Sequence, residues 1–214
     1  MTTQLVVDLV SDPVCPWCYV GLHSWACAKA ALQDDFEIIT RMRPYQLNPD
    51  TPIAGIDRAA YYERKFPDAA FRHEMRVRLI DAAKEAGVVF DPSIPKVLPN
   101  TLRAHRVLRW AHFEGRHETL ATRLYAAFWE KGADLGDTDV LCTLAADAGM
   151  DAEDVRKKLD GETDAALVAG EAEALRSAGV TGVPTFIINE KTGFSGALPS
   201  EKLAAAVRHA FAQN

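Results

Sequence analysis

Cysteine is scarce in this chain, and its spacing excludes much of what it could do. Four cysteines occur in 214 residues, too few and too scattered for the disulfide framework of a small secreted domain. One CxxC is present, Cys15 to Cys18, while Cys27 and Cys142 stand alone. A zinc site needs four ligands, and no second CxxC accompanies this one. Basic residues are also short: 24 Lys and Arg against 30 Asp and Glu leave a formal charge of -6, so no basic face for nucleic acid is expected. No apolar run approaches the roughly 20 residues of a membrane-spanning helix. The leading segment MTTQLVVDLVSDPVC carries no basic n-region, long apolar stretch or small-residue cleavage site. A cytoplasmic protein that does not engage a membrane is the expectation. Repeats and linkers rich in Gly, Ser or Pro are missing too, so nothing divides the chain end to end.

What is present is the material of an ordinary globular protein, with 48% apolar and 25% charged residues, enough to bury a core without staples. The run QLVVDLV (4–10) alternates and is β-branched, which predicts a strand. A helix follows over 15–32, with Pro16 in its first turn, then a strand over 36–44 and a loop to Gly55. The middle is helical in pattern, near 57–66, 68–86, 101–114, 116–130, 137–148 and 151–159. Another helix is predicted over 163–178, strands over 183–189 and 193–196, and a last helix over 200–212. The order is β, α, β, a helical block, then α, β, β, α. It predicts an α/β fold in which one connection has grown into an all-helical insertion, with 1–46 and 163–214 forming one unit and 47–162 the insertion.

The chemistry concentrates at SDPVCPWCYVG (11–21). A thiolate is the reactive form of cysteine, and the free N–H groups and positive dipole end of a helix N-terminus favour it. Cys15 falls at that strand–helix junction, and Cys18 lies one turn further on the same side. Pro16 suits the first turn, and Trp17 can cover the pair without adding charge. A distant segment, GVTGVPTFI (179–187), places Val183–Pro184 at the start of an apolar strand, where a cis bond fits better than a trans one. The Val183 backbone would then be free to pair with an extended substrate near Cys15.

Taken together, the CPWC after a first strand, GVTGVPTF before a later one and a helical insertion between them resemble the DsbA-like branch of the thioredoxin fold. The finer resemblance is to the FrnE-like group, related to 2-hydroxychromene-2-carboxylate isomerases and kappa-class glutathione transferases. It is carried by SDPVCPWCYVG, RPYQLNPD, LPNTLRAHRVLRWA, GDTDVLCTLAADAGMD and SGALP. The resemblance implies Cys15 as the exposed nucleophile, Cys18 as the resolving thiol, Pro184 as the cis proline facing them, and a helical roof over the groove. The chain departs from the isomerase and kappa branches by having Cys15 where a serine activates glutathione, and GALP where kappa relatives have Gly-Ser-Asp. Both departures favour dithiol–disulfide exchange. Trp17, where DsbA has a histidine, implies a less acidic nucleophile and a less oxidising couple.

Other residues carry competing readings. Pro16, Trp17 and Val183 are expected to contact substrate. Asn48 and Asn100 are candidates for the groove, with helix capping an equally good reading of Asn100. His105 is a candidate proton relay or a packed histidine. Asp12 can tune the thiols or cap the turn, and capping is the better reading. Cys27 and Cys142 are expected in the core, and Tyr19 and Trp25 to pack. RHEMRVR (72–78) reads as a solvated helix face.

The expected activity is thiol–disulfide oxidoreduction with a protein or small-molecule substrate and an external redox partner. No cofactor or metal is expected to be bound, and glutathione is an available co-substrate. A glutathione-dependent isomerase or transferase is the first alternative, and a redox-inactive peptide-binding or holdase module the second. The resemblance also allows a homodimer.

Overall fold

A computed structural model describes residues 3–213. The elements are β1 (Thr3–Ser11), α1 (Pro16–Leu32), β2 (Phe36–Pro44), β3 (Ile56–Asp57), α2 (Arg58–Lys65), α3 (Ala69–Glu85), β4 (Val97–Leu98), α4 (Leu102–Phe113) and α5 (His117–Lys131). They continue with α6 (Thr138–Asp147), α7 (Ala152–Asp160), α8 (Ala165–Ser177), β5 (Thr185–Ile188), β6 (Thr192–Ser195) and α9 (Ser200–Ala212). The main sheet has the order β2-β1-β5-β6. Strand β1 runs parallel to β2 and antiparallel to β5, and β5 is antiparallel to β6. The expected α/β fold is therefore the observed one. Residues 1, 2 and 214 of the predicted sheet-bearing unit lie outside the described residues.

Alternation along β1 sets its two faces. Leu5, Val7 and Leu9 pack on Trp25, Ala28 and Leu32 of α1, on Phe186 and Ile188 of β5, and on Leu203 and Val207 of α9. Each such side chain, buried whole, contributes about 1.5–3 kcal/mol. On the opposite face Val10 meets Tyr45 and Val180, and the buried Asp8 carboxylate takes two hydrogen bonds from Arg41 at 2.6 and 2.7 Å. A second core runs without interruption from Cys15, Cys18, Tyr19 and Val20 into Leu120, Leu124, Phe128 and Trp129 of α5. The start of α1 and the insertion therefore share one interior.

Two expectations need correction. The insertion is not all helical, because Ile56–Asp57 pairs with Val97–Leu98 in a small antiparallel ladder. Two-residue strands carry no period that a sequence can display. Cys27 is exposed: the buried stripe of α1 runs through Gly21, Ser24, Trp25, Ala28 and Leu32, and Cys27 falls off it. Cys15 is the N-cap of α1, at the strand–helix junction as expected, with extended backbone at φ -85° and ψ 117°.

Gly21 positions the site through what it lacks. A Cβ there would sit 2.8 Å from Cγ of Pro184, closer than carbon atoms can approach, and the proline ring cannot swing aside. Gly170 in α8 faces open space instead. Gly21→Ala is therefore expected to destabilise the protein by about 1–3 kcal/mol through overpacking, outweighing the helix-propensity gain. Gly170→Ala should stabilise it by about 0.5–1 kcal/mol. Urea unfolding of the pair measures both, and a Gly21→Ala variant as stable as Gly170→Ala would refute the contact.

Candidate functional site

The thiol pair lies where β1 hands over to α1. The Cys15 N–H donates to the Asp12 carbonyl at 2.9 Å, and the Cys15 carbonyl accepts from the N–H groups of Cys18 and Tyr19 at 3.1 and 3.2 Å. The turn is closed and the helix started by the same residue. The Cys15 side chain makes no capping bond and turns instead to the Val183 carbonyl, 3.6 Å from its Sγ. The Val183–Pro184 peptide bond is cis.

The loop is brought there by sheet register. Val10 of β1 pairs with Thr185 of β5, so Val183 and Pro184 continue past the end of β1 towards Cys15. The Thr185 hydroxyl donates to the Gly182 carbonyl at 2.7 Å, and the Pro184 carbonyl accepts from the Gly196 N–H at 2.9 Å. These bonds hold the loop from both sides and leave the Val183 carbonyl for the thiol.

The exposed nucleophile implied by the resemblance is corrected here. Cys15 is only 5% exposed and Cys18 1%. Both are free thiols. Tyr62 of α2 lines the cleft beside Pro16 and Trp17; burial pushes its hydroxyl pKa up, the Arg58 guanidinium opposes this, and charge at Cys15 adds to it. The Cys18 thiol is held well above its usual range, first by burial and then by its hydrogen bond with Cys15. Such a thiol keeps its proton until the partner sulfur has reacted.

Asp12 lies beneath the pair. Its carboxylate accepts from the N–H groups of Val14 at 3.4 Å and Leu47 at 2.8 Å, so it caps the turn as expected and also ties that turn to the strand β2 exit. Complete burial outweighs these bonds and raises its pKa to about 7. Its negative charge is one of the influences that push Cys18 up. His105 is buried 3.8 Å from Asp12, away from the cleft at Trp17. Its Nε2 is 3.0 Å from the Tyr45 carbonyl; a carbonyl only accepts, so that nitrogen carries the proton. Burial lowers its pKa to about 4, and the imidazole is neutral at pH 7.

The remaining candidates separate. Pro16 and Trp17 line a cleft of about 380 Å³ together with α2 and α3. Asn100 accepts from the Leu102 N–H at 3.0 Å and donates to the Thr51 carbonyl at 2.7 Å, so its side chain clamps the 46–51 loop to the start of α4. Asn48 accepts a hydrogen bond from the Tyr61 hydroxyl. Cys142 is buried, as expected, and Tyr19 and Trp25 pack, bonding Glu130 and Thr40. Arg58 and Tyr62 are the residues that sequence reading missed. Their i, i+4 spacing in RAAYYERK puts them on one helix face, the only available signal.

Linkage gives Asp12 a measurable signature. Its folded pKa stands above the unfolded value, so its contribution is complete near pH 4 and is lost as the pH rises through about 7. His105 works in the opposite sense, with stability falling as the pH drops below its unfolded pKa; because it lies 3.8 Å from Asp12, the comparison is repeated in a His105→Gln background, where its titration is absent. The stability of Asp12→Asn relative to wild type is expected to rise between pH 4 and 8, by at most about 4 kcal/mol. Urea denaturation across that range tests this, and a constant difference would refute it.

The comparisons fit this geometry. The DSBA-like thioredoxin domain family matches residues 6–208. The YwbO protein of Bacillus subtilis strain 168 is 26% identical over 190 residues, which is 86% of this chain and 86% of that protein. The crystal structure of a probable DsbA oxidoreductase from Streptomyces coelicolor superposes with a TM-score of 0.88 at 27% identity, covering 99% of this chain and 92% of that one. The cytosolic disulfide reductase DsbM from Pseudomonas aeruginosa, crystallised with GSH, shares the fold at a TM-score of 0.67 and 17% identity, over 97% of this chain and 99% of that one. A 2-hydroxychromene-2-carboxylate isomerase shares it at 0.70 and 16%, over 98% and 97%. With the match spanning nearly the whole chain and the thiol pair facing the Val183–Pro184 loop, this protein belongs to the DSBA-like thioredoxin domain family.

Proposed function

We propose that the protein is a dithiol–disulfide oxidoreductase of the FrnE-like kind, working through Cys15 and Cys18. The observation that carries this reading is the approach of the Cys15 Sγ to the Val183 carbonyl, 3.6 Å across 168 residues of chain. A substrate strand that pairs with that backbone brings its own sulfur to Cys15. The Cys15 thiolate attacks one sulfur of the substrate disulfide, the S–S bond breaks, and the released thiolate takes a proton. Cys18 then loses its proton, attacks the Cys15 sulfur and frees the second substrate thiol. Two electrons pass to the substrate and a Cys15–Cys18 disulfide remains; run in reverse, the same steps oxidise a dithiol.

The environments of the two thiols suit these roles. Cys15 faces the loop where a substrate backbone would pair. Cys18, more deeply buried and with its pKa raised, is suited to the second step, because formation of the mixed disulfide removes the Cys15 charge that opposes its ionisation. Asp12 is close enough to influence the Cys18 proton, and with a pKa of about 7 it can accept that proton near neutrality. Pro16, Trp17 and Val183 contact the substrate in this reading, while Asn48, Asn100 and His105 support the walls of the groove. A cytoplasmic location and an external dithiol partner that resets the pair complete the proposal.

Equilibration in defined thiol–disulfide buffers, followed by alkylation and mass measurement, is expected to show one two-electron transition between about -120 and -270 mV. Cys18→Ser should accumulate the mixed disulfide at Cys15, and Cys15→Ser should reduce exchange to background. No transition, together with a Cys18→Ser variant that stays active only when glutathione is added, would instead favour an isomerase or transferase that uses glutathione as co-substrate.

A further inference from the structure

The cleft beside Pro16 and Trp17 has a charge opposite to that of the chain. Its charged lining is Arg58, Arg72, Arg76 and Lys96 against Asp57, in a protein of formal charge -6. The Asp57 carboxylate is engaged by the Ala60 N–H at the start of α2, at 2.6 Å. Arg76 pairs with Asp91 at 2.8 Å. The other three cations are held by backbone carbonyls. Arg58 donates to Pro92 at 2.8 Å, Arg72 to Phe66 and Pro67 at 2.5 and 2.9 Å, and Lys96 to Ser93 at 2.8 Å. A carbonyl fixes where a cation sits without cancelling its charge.

Arg58 makes the clearest case. It is only 9% exposed, its guanidinium lies over the Tyr62 and Trp129 rings at 4.7 and 5.1 Å, and its Nε is buried with no hydrogen-bond partner among the described residues. The carbonyl and the two rings offset only part of the cost of burying a guanidinium with no carboxylate partner among the described residues, and an anion entering the cleft relieves the rest. Tyr62 links the charge to the chemistry, since it interacts electrostatically with both Arg58 and Cys15. Met75 and Leu79 supply apolar surface in the same cleft.

We infer that this cleft is a subsite for carboxylates flanking the substrate's sulfur, so that the preferred substrate is an acidic disulfide. The inference rests on the exchange reaction proposed above and adds its substrate class. The carboxylates can belong to a polypeptide segment or to a low-mass thiol dimer such as glutathione disulfide. In either case reduction consumes the Cys15–Cys18 dithiol and yields two carboxylate-bearing thiols and the Cys15–Cys18 disulfide.

The test uses the reduced full-length protein and symmetric disulfides of Glu-Cys-Glu, Gln-Cys-Gln and Lys-Cys-Lys peptides, with glutathione disulfide as a fourth substrate. Each exchange rate is divided by the rate with dithiothreitol, which removes differences in leaving-group pKa. The acidic peptide is expected to react about tenfold or more faster than the basic one at low ionic strength, with the ratio shrinking in high salt. Arg72→Gln with Lys96→Gln should shrink it too; Arg58 is left in place because its loss threatens the fold. A glutathione disulfide rate above that of the acidic peptide would identify the low-mass source, and the reverse order the polypeptide one. Equal normalised rates at all salt concentrations would overturn the subsite and leave the exchange reading standing. A second measurement separates the remaining cases: binding of a fluorescent Glu-Ser-Glu peptide and its Lys-Ser-Lys counterpart to the Cys15→Ser/Cys18→Ser protein. Acid-selective binding without exchange of any disulfide keeps the subsite and removes the redox reading. Neither exchange nor selective binding removes both.

Discussion

The antiparallel pairing of β5 on β1 is the constraint on which the site depends. Through Val10 and Thr185 it carries the Val183–Pro184 loop to the end of the strand that delivers Cys15. Closing so long a loop is entropically unfavourable. The offset comes from what the same pairing buries: Leu9 and Phe186 side by side, with Trp25, Leu203 and Val207 against them. Gly21 completes the arrangement by leaving room for the Pro184 ring. The site is thus a by-product of core packing, and its geometry is as firm as that core.

Burial then gives the two sulfurs different characters. Cys15 and Cys18 belong to the interior that continues into α5, where a charge is poorly solvated. Cys18 keeps its proton there, Asp12 binds one near neutrality, and His105 stays neutral. This region holds few charged states, and positive charge without a carboxylate partner among the described residues collects nearby at Arg58, Arg72 and Lys96. An acidic overall composition and a cationic wall are compatible because the two act at different ranges, the first over the whole surface and the second within a few ångströms of the cleft.

Much of the fold is legible in the sequence. The second strand and the last helix coincide with their predicted spans, because alternation and 3.6-residue periodicity are local properties. The cis bond at Val183–Pro184 was legible from a proline at the mouth of an apolar strand, and the CPWC from a strand–helix junction. The β3–β4 ladder was not, since Ile56 and Asp57 pair with the distant Leu98 and Val97 and too few residues pair to leave a pattern. Cys27 was misread because an Ala-rich helix has several faces that look equally apolar. His105, Asn48 and Asn100 had plausible chemistry in sequence, yet their bonds to Tyr45, Tyr61 and Thr51 depend on loops whose paths no local rule specifies.

Residue order alone was enough for the class of fold, the thiol pair at the strand–helix junction and the loop that faces it, because each is encoded by short-range signals: a period, a cap, a proline position. Tertiary structure decided how deeply the thiols lie, which side chains line the cleft beside them, and where the chain's positive charge gathers. Those properties come from elements distant in sequence that meet in space. Arg58 and Tyr62 acquire their meaning only when α2 lines the cleft beside Pro16 and Trp17.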